Sequence, residues 1–441
     1  MEWPLPNPAA VRDAIRGLCD ADVDLNRFEL SWLQAGQKGP TRLLYQAPRR
    51  DGDVSLIMAR RVKPADGPRL EQQLNLSYPT PSPANGAIRI AFYSPELHLL
   101  FQAFPADRRL PGLPVAVDGA RMLPILQSML GRRAAGRQLR TVHAKAMRYK
   151  PEQKCLLRYD LCWDSSPAGD APEVVWARMT RAARFEETRN ILAALYAASG
   201  GVGFEFPEPL GVIEDLNLEL FGHVPGVVLF SMVQSAGFPV LCRQTGKALA
   251  CFHSLPSVAP LHMGTDAQIG RMAENADSFA CILPGEQSRI ADIKQEITRR
   301  LREDSPSPPG LIHGDFHGDN ILVAGERLAL LDMEDCATGE PAEDVGSQWT
   351  QLAWHQHRAR ATSRLPAAGS IAFLEGYLEN AGSAVEKRLP LYAAMHCFLY
   401  AHQCLRHPQD PMRFKDARMM LEVSEAVLNE DSLLRVDVAR L

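Results

Sequence analysis

The chain has 441 residues, and its 46% hydrophobic and 23% charged residues are typical of a globular protein of about three domains. A net charge of -4 gives no indication of binding to nucleic acid or to an acidic membrane surface. No run approaches the roughly 20 apolar residues of a membrane span, and no signal peptide is expected from the first residues. Nine cysteines without a CxxC pair favour reduced thiols and a cytoplasmic location.

The first 130 residues predict a small α+β region. Helices are expected at residues 8–18 and 121–130, and a stiff loop rich in proline at 78–86. Alternating apolar residues between turn signals predict strands at residues 28–33, 42–47, 54–62, 87–93 and 97–104.

A second set of strands is predicted at residues 142–149, 155–162 and 174–179, with a polar insert at 164–172, and a helix follows at 183–197. This set partly echoes the first one. The stretch from Gln37 to the letters GDVSLIMAR parallels the stretch from Gln153 to the letters GDAPEVVWAR. The echo is explained either by duplication of a three-stranded unit or by chance similarity between two amphipathic units.

The rest of the chain is predicted to be largely helical. A strand pair at residues 207–211 and 216–221 ends at the turn signal Gly222-His-Val-Pro-Gly226. Helices are expected at residues 243–253 and 286–303, where the apolar residues recur at helical spacing. Beyond Val345 nearly every segment shows a helical pattern.

The stretch LIHGDFHGDNILVAGERLALLD, residues 311–332, carries the most chemistry. Two short apolar runs flank the four residues 324–327, which predicts a β-hairpin. Asn320 precedes its first strand and Asp332 follows its second, so both should lie at its open end, and Asp315 should reach the same place. Oxygen ligands of this kind suit Mg²⁺.

This stretch also fits other interpretations. The alternation of His313, Asp315, His317 and Asp319 is also a pattern for a transition-metal site. The GDxHG letters resemble a box found in metallophosphatases, but the later Asp, Asn and His ligands of that box are absent from the sequence. A purely structural turn is disfavoured because ionisable side chains rarely cluster so closely for packing alone.

The order His313-x-Asp315, Asn320 and Asp332 resembles the catalytic loop of protein kinases. The HGDxHxxN pattern is similar to the aminoglycoside phosphotransferase and choline kinase branch. The resemblance implies an α+β, bilobal, protein-kinase-like fold with a small antiparallel β lobe and a large, mostly α-helical lobe. The implied domains are an extra N-terminal α+β region at 1–130, the small lobe at 131–224 and the helical large lobe at 225–441.

The resemblance also implies roles for single residues. Asp315 would orient the acceptor hydroxyl and take its proton, and Asn320 and Asp332 would hold Mg²⁺. His313 would be structural and donate to backbone near Asp344, which would tie the loop from a helix start. His317 is expected to pack under the loop, and Asp319 receives no role.

The nucleotide side departs from the family pattern. Arg178 stands where the family has a lysine on the third strand, and Glu187 is nearest to the expected position of its acidic partner. No glycine-rich phosphate loop precedes them, so Lys154 is a candidate to contact phosphate in its place. No Walker P-loop is present either.

The resemblance therefore predicts an enzyme that moves the γ-phosphate of ATP, or of GTP, to a hydroxyl of a small molecule. Carboxylates after Asp332 favour an acceptor that is neutral or carries an amine, such as an aminoglycoside, amino sugar, sugar or amino alcohol. The alternative is a catalytically weak kinase-like module that binds nucleotide or a partner. The sequence carries no signal for the oligomeric state.

Overall fold

The structure is a computed structural model. It describes residues 5–19, 22–36, 39–50, 52–78, 89–131, 133, 137–164, 173–198, 201–359 and 365–436. Most of the proline-rich loop predicted at 78–86 and of the polar insert predicted at 164–172 lies outside these residues. The chain forms two compact units. The first comprises Met1–Glu186, Leu210–Gly222 and Arg406–Pro411, and the second comprises Glu187–Pro209, His223–Leu405 and Met412–Leu441.

Strands and helices are numbered along the chain. The strands are β1 Glu29–Gly36, β2 Gly39–Pro48, β3 Val54–Arg61, β4 Ala91–Ser94, β5 Leu99–Ala103, β6 Leu139–Lys150, β7 Lys154–Trp163, β8 Glu173–Thr180, β9 Phe204–Glu205, β10 Pro209–Ile213, β11 Leu218–Gly222, β12 Val227–Val228, β13 His262–Met263, β14 Gly310–Ile312, β15 Ile321–Ala324, β16 Arg327–Leu330 and β17 Ala337–Gly339. The helices are α1 Pro8–Ile15, α2 Gly67–Ser77, α3 Leu113–Ala116, α4 Gly119–Leu130, α5 Ala182–Thr188, α6 Ile191–Ala197, α7 Phe238–His253, α8 Thr265–Ile282, α9 Gln287–Glu303, α10 Ala342–Ala359, α11 Leu365–Leu378, α12 Ser383–Glu386, α13 Leu389–Cys404 and α14 Arg413–Leu428.

The first unit holds two five-stranded sheets of the same topology. The N-terminal sheet has the order β1-β2-β3-β5-β4, and the second sheet has the order β6-β7-β8-β11-β10. In each, a three-stranded meander is followed by helix and then by a return hairpin whose second strand pairs with the third strand of the meander. The echo in the sequence therefore corresponds to a repeated arrangement of strands.

The pairing register makes the two sheets comparable residue by residue. The equivalent buried pairs are Leu43–Ala59 and Tyr45–Ile57 in the N-terminal sheet, and Leu157–Ala177 and Tyr159–Val175 in the second sheet. Arg60 directly follows Ala59, and Arg178 directly follows Ala177. The two arginines thus occupy equivalent positions.

The two sheets of the first unit share a hydrophobic core. Leu44 of the N-terminal sheet packs in one cluster with Leu126 of α4 and with Leu157 of the second sheet. The predicted boundary near residue 130 falls inside this unit, and the three-domain division of the chain stays a prediction. Helix α2 was not predicted from the sequence, and its Leu74 packs on Tyr93.

The second unit is mostly helical, as predicted, with two small sheets of order β12-β15-β16-β9 and β13-β17-β14. Helices α7 and α11 pack closely against each other. A Cβ on Gly246 would lie 2.2 Å from the carbonyl oxygen of Phe373, so this crossing requires glycine. The single helix predicted at 183–197 is wrong, because α5 ends at Thr188 and α6 begins at Ile191. Within the described residues, no helix has the length and apolar character needed to cross a membrane.

Candidate active site

The predicted hairpin lies in the second unit and is tighter than expected. Ile321 pairs with Leu330 and Ala324 pairs with Arg327, so the turn has two residues rather than four. Gly325 in that turn has a φ of 64°, a conformation that glycine adopts without strain. The predicted connection at residues 324–327 is therefore wrong in length, since its outer residues belong to the strands.

The hairpin brings Asn320 and Asp332 to one end. The backbone N–H of Leu331 donates to the carbonyl oxygen of Asn320 at 2.9 Å, so Asp332 directly follows a residue paired with Asn320. Asp332 has φ 63° and ψ 50°, the left-handed conformation, which turns the chain sharply at the end of the hairpin. Among residues other than glycine, aspartate is one of the few that adopt it at modest cost.

Asp315 is fixed to the same loop through its backbone. Its carbonyl oxygen accepts a hydrogen bond from Nδ2 of Asn320 at 3.0 Å. Its carboxylate is 44% exposed and lies 3.7 Å from Nε2 of His317. Nδ1 of His317 accepts from the N–H of Asp319 at 3.2 Å, and Nε2 of the same ring lies 3.3 Å from Nδ2 of Asn320. The side chain of His317 is 12% exposed, and it contacts Asp319 and Asn320 of the same loop.

His313 is buried and structural, but its contacts differ from those predicted. Its Nε2 lies 2.8 Å from the carbonyl oxygen of Leu331, not from backbone near Asp344. The backbone N–H groups of His313 and Gly314 instead donate to the carboxylate of Asp344 at 2.6 and 2.9 Å. At Gly314, with φ 81°, a Cβ would lie 2.2 Å from the carbonyl oxygen of Asp335, so the motif requires glycine here.

Asp344 ties the loop from the first turn of α10, as expected, but with a partner that the sequence did not reveal. Nε2 of His253 lies 3.0 Å from Asp344, and Nδ1 of the same ring lies 3.0 Å from the hydroxyl of Tyr377. Burial, and then the charge of Asp344, raises the pKa of Tyr377. The only sequence signal for this network was His253 at the end of the predicted helix 243–253.

The carboxylates after Asp332 do not act as one anionic patch. Glu340 is held by Arg388 through two hydrogen bonds of 2.9 Å. Glu343 is buried, yet the charges of Arg271 and His396 outweigh the effect of burial and lower its pKa to about 2. The carboxylates that follow Asp332 are those of Glu334, Asp335, Glu340, Glu343 and Asp344. With Asp344 bound to the loop, three of these five have internal roles. Glu334 is buried as well.

The residues predicted for the nucleotide lie in both units. Arg178 is buried on β8, and its Nη2 lies 2.6 Å from Oε2 of Glu219, which is opposite it on β11. Glu219 was missed, although a glutamate between Leu218 and Leu220 in a predicted strand was a signal. Lys154 is half-buried at the start of β7. Glu187 is exposed on α5 in the second unit, and its pairing with Arg178 stays a prediction.

The donor set at the hairpin suits a hard cation. Nδ2 of Asn320 donates to the carbonyl oxygen of Asp315, so the amide oxygen Oδ1 is the ligand-type atom of this side chain. Asp332 supplies a carboxylate at the same end of the hairpin, directly after Leu331, which pairs with Asn320. Mg²⁺ is usually bound by only a few protein oxygens, and phosphate oxygens complete its coordination. No group of three or more His, Cys, Asp or Glu side chains in the described ranges is arranged to hold a metal ion. The transition-metal interpretation of the His-Asp alternation is therefore wrong for these residues.

Comparisons with solved structures show which fold this is. A candidate aminoglycoside phosphotransferase from Ralstonia eutropha matches with a TM-score of 0.51 at 16% identity, covering 69% of this chain and 97% of that one. A choline/ethanolamine kinase family protein from Mesorhizobium loti matches with a TM-score of 0.43 at 18% identity, covering 65% and 88%. A spectinomycin phosphotransferase bound to ADP and spectinomycin matches with a TM-score of 0.47 at 12% identity, covering 70% and 98%. No curated protein matches.

The fold is the protein-kinase-like fold of small-molecule phosphotransferases. The model of the phosphotransferase enzyme family matches residues 170–395, which is just over half of the chain, and the protein belongs to that family. The matched segment contains the catalytic-loop motif, Arg178 and the network around Asp344. Both the fold and the family inferred from the sequence are confirmed, and they make small-molecule phosphotransfer the class of reaction.

Proposed function

We propose that the protein transfers the γ-phosphate of ATP, or of GTP, to a hydroxyl group of a small molecule. The observation that carries this proposal is the loop of the second unit. In it the side chain of Asn320 donates to the backbone of Asp315, and Leu331, the residue before Asp332, donates to the backbone of Asn320. Phosphoryl transfer requires positioning and charge neutralisation more than covalent chemistry, and a rigid loop of this composition supplies both.

Asp315 would orient the acceptor hydroxyl and accept its proton. Its carboxylate is exposed enough to meet a substrate, while its backbone is fixed by Asn320. His317, whose Nε2 lies 3.7 Å from that carboxylate, would help to restrain it. Asn320 and Asp332 would hold Mg²⁺, which supplies neutralisation of the phosphate charge when it is bound.

Arg178 would contact the nucleotide phosphates, with Lys154 and Glu187 as further candidates on the nucleotide side. The pairing of Arg178 with Glu219 keeps its guanidinium charged and fixed within the second sheet. A guanidinium is planar and can bind phosphate oxygens through two parallel N–H groups.

The acceptor would be neutral or carry an amine, such as an aminoglycoside, an amino sugar, a sugar or an amino alcohol. The carboxylates of Asp315 and of Asp319, which is 62% exposed, would disfavour an anionic acceptor by charge repulsion. Competition between amine-bearing and acidic alcohols at low and moderate salt tests this. Preference for an acidic acceptor would contradict the proposed acceptor class. So would binding of amine-bearing acceptors that does not weaken when salt reduces the screening length to about 8–10 Å.

The central experiment measures turnover with Mg-ATP and Mg-GTP over a panel of amino sugars, sugars and amino alcohols. Asp315→Ala should lower kcat by roughly 10²–10⁴-fold, because the proton acceptor is lost. Asp319→Ala, assayed with a neutral acceptor, is the matched control, since Asp319 lies in the same loop and is proposed only to repel anionic acceptors, not to accept the proton. Equal losses in both variants would contradict the role of Asp315.

A second measurement addresses the metal. Asp332→Ala should abolish the thermal stabilisation that Mg-ATP gives the wild-type protein, while the unfolding transition without ligand is retained. An undiminished shift would contradict the metal role. If the wild-type protein binds nucleotide but turns over no acceptor, the alternative of a catalytically weak kinase-like module is favoured.

A further inference from the structure

The turn between β6 and β7 contains a buried glutamate in a strained conformation. Glu152 is 1% exposed and has a φ of 59°. A glutamate rarely adopts this conformation, which persists only where surrounding contacts impose it. In the kinase-like fold the turn between the first two strands of the small lobe faces the phosphates, and here that turn has no glycine-rich sequence.

Three arginines surround the carboxylate of Glu152. Nε of Arg108 lies 2.6 Å from Oε1, Nη1 of Arg60 lies 3.4 Å from Oε1, and Nη2 of Arg42 lies 3.0 Å from Oε2. Arg42 and Arg60 extend from β2 and β3 of the N-terminal sheet, and Arg108 follows β5. Every one of these guanidinium groups therefore comes from outside the sheet to which the turn belongs.

The backbone of the turn is held as well. The N–H of Glu152 and the hydroxyl of Tyr149 both donate to Oδ2 of Asp107 at 2.7 Å. Asp107 is itself fully buried, and its Oδ1 accepts from the N–H of Arg109 at 2.8 Å. Burial alone would raise the pKa of Glu152, but the Arg108 hydrogen bond and the charges of Arg60, Arg108 and Arg42 lower it, so the carboxylate stays ionised.

The repeated topology explains why an arginine of the N-terminal sheet can bind a carboxylate outside that sheet. Arg60 is the equivalent of Arg178. Opposite Arg178 stands Glu219, whereas opposite Arg60 stands Leu100. The N-terminal sheet has no acid opposite Arg60, and Arg60 binds the carboxylate of Glu152 instead. Glu152 thus gives Arg60 an anionic partner from within the chain, whereas Arg178 of the second sheet would bind the phosphate of a nucleotide.

We propose that the N-terminal sheet is a clamp that holds the β6–β7 turn in the conformation that binds nucleotide phosphates, with Glu152 as its positioning residue. The clamp replaces the conformational control that a glycine-rich loop would supply. A turn ordered before binding loses less entropy when the nucleotide binds, so the affinity for Mg-ATP rises. This inference rests on the proposed function, because it assigns the nucleotide to the second sheet.

The test measures the Kd of Mg-ATP by calorimetry with the full chain. Glu152→Gln should weaken binding by about tenfold or more and speed amide hydrogen exchange at residues 150–154. Arg108→Gln, at a more exposed member of the cluster, should give a smaller loss of affinity and serves if Glu152→Gln does not fold. The matched control is Asp160→Asn on β7, whose carboxylate binds Arg158 away from the cluster and whose loss should leave the Kd within about twofold.

Chemical rescue separates positioning from general stability. Glu152→Gly removes the carboxylate and suits the positive φ, so added formate should enter the arginine cluster and restore much of the Mg-ATP affinity. Formate should not help Glu152→Gln, whose amide fills the space. If the Glu152 variants bind Mg-ATP more weakly and formate does not restore the affinity, the inference is overturned. A wild-type Kd in the Glu152 variants also overturns it, but does not contradict the proposed function. If the wild-type protein binds neither Mg-ATP nor Mg-GTP, the proposed function fails first and the inference with it.

Discussion

The N-terminal sheet and the second sheet of the first unit place an arginine at the same point of the same topology. Arg178 pairs within its own sheet, 2.6 Å from Glu219 on the neighbouring strand. Arg60 has Leu100 at that neighbouring position and lies 3.4 Å from Glu152, in a turn of the other sheet. One sheet thus has a self-contained ion pair, and the other uses the equivalent charge to bind its neighbour.

The difference shows how a repeated unit can change its use by one substitution. A buried guanidinium needs a carboxylate, because leaving it unpaired is costly. Where the sheet provides the acid, the arginine is fixed within that sheet, as its proposed contact with phosphate requires. Where the sheet provides leucine, the arginine is satisfied only by a carboxylate from elsewhere, and the sheet becomes part of an interface.

The largest expected effect concerns the two arginines directly. Arg178→Ala should lower kcat/KM for Mg-ATP by roughly 10²–10³-fold, since under the proposed function it removes a fixed charge that would contact phosphate. Arg178→Lys should keep appreciable activity. Arg60→Ala should lose less than about tenfold, because two other arginines still hold Glu152. Equal losses at the two positions would show that the sheets do not differ in function.

The next prediction concerns a variant in which the second sheet carries the leucine that the N-terminal sheet has opposite its arginine. Glu219→Leu, which copies Leu100, should lower the free energy of unfolding by roughly 3–5 kcal/mol, because Arg178 is left buried without its carboxylate. Urea unfolding measures this loss. Adding Arg178→Met should recover most of the stability but not nucleotide binding. A Glu219→Leu protein as stable as the wild type would contradict the importance of the pair.

Acid should weaken the contact between the sheets. Glu152 has a pKa below the ordinary value of 4.5, so its stabilisation is fully present above pH 4.5 and is lost as the pH falls through the lowered pKa. Glu152→Gln should cost roughly 2 kcal/mol at pH 7 and progressively less below pH 4.5. Unfolding of both proteins across this range measures the difference. A cost that stays constant with pH would contradict an ionised Glu152.

The smallest effect is expected at an exposed ion pair near the same two sheets. Nζ of Lys145 on β6 lies 3.7 Å from Asp53, and both side chains are more than half exposed. Lys145→Ala should change the free energy of unfolding by less than about 0.5 kcal/mol, because water and salt screen the pair. If Lys145→Ala lowered the free energy of unfolding as much as Glu152→Gln does, burial would not explain the difference in strength between the two ion pairs.

Local pattern was sufficient for most elements and for the center of the site. The strands of both sheets and the helices α1, α4, α7 and α9 were predicted within a few residues, because alternation and helical spacing reflect which face is buried. The loop motif located Asp315, Asn320 and Asp332, since its spacing encodes a hairpin. The prediction failed at α2 and at the break between α5 and α6, where tertiary packing decides the ends of short helices.

The sequence by itself determined the fold class, the family and the loop that joins Asp315 to Asp332, because these depend on residues close together in the chain. Only the tertiary structure decided the partners of the charged groups. Glu219 lies 41 residues from Arg178, His253 lies 91 residues from Asp344, and Glu152 gathers arginines from three separate segments. A charged residue that becomes buried needs a partner of opposite charge, and the sequence shows this need. Only the fold determines which residue lies close enough to be that partner.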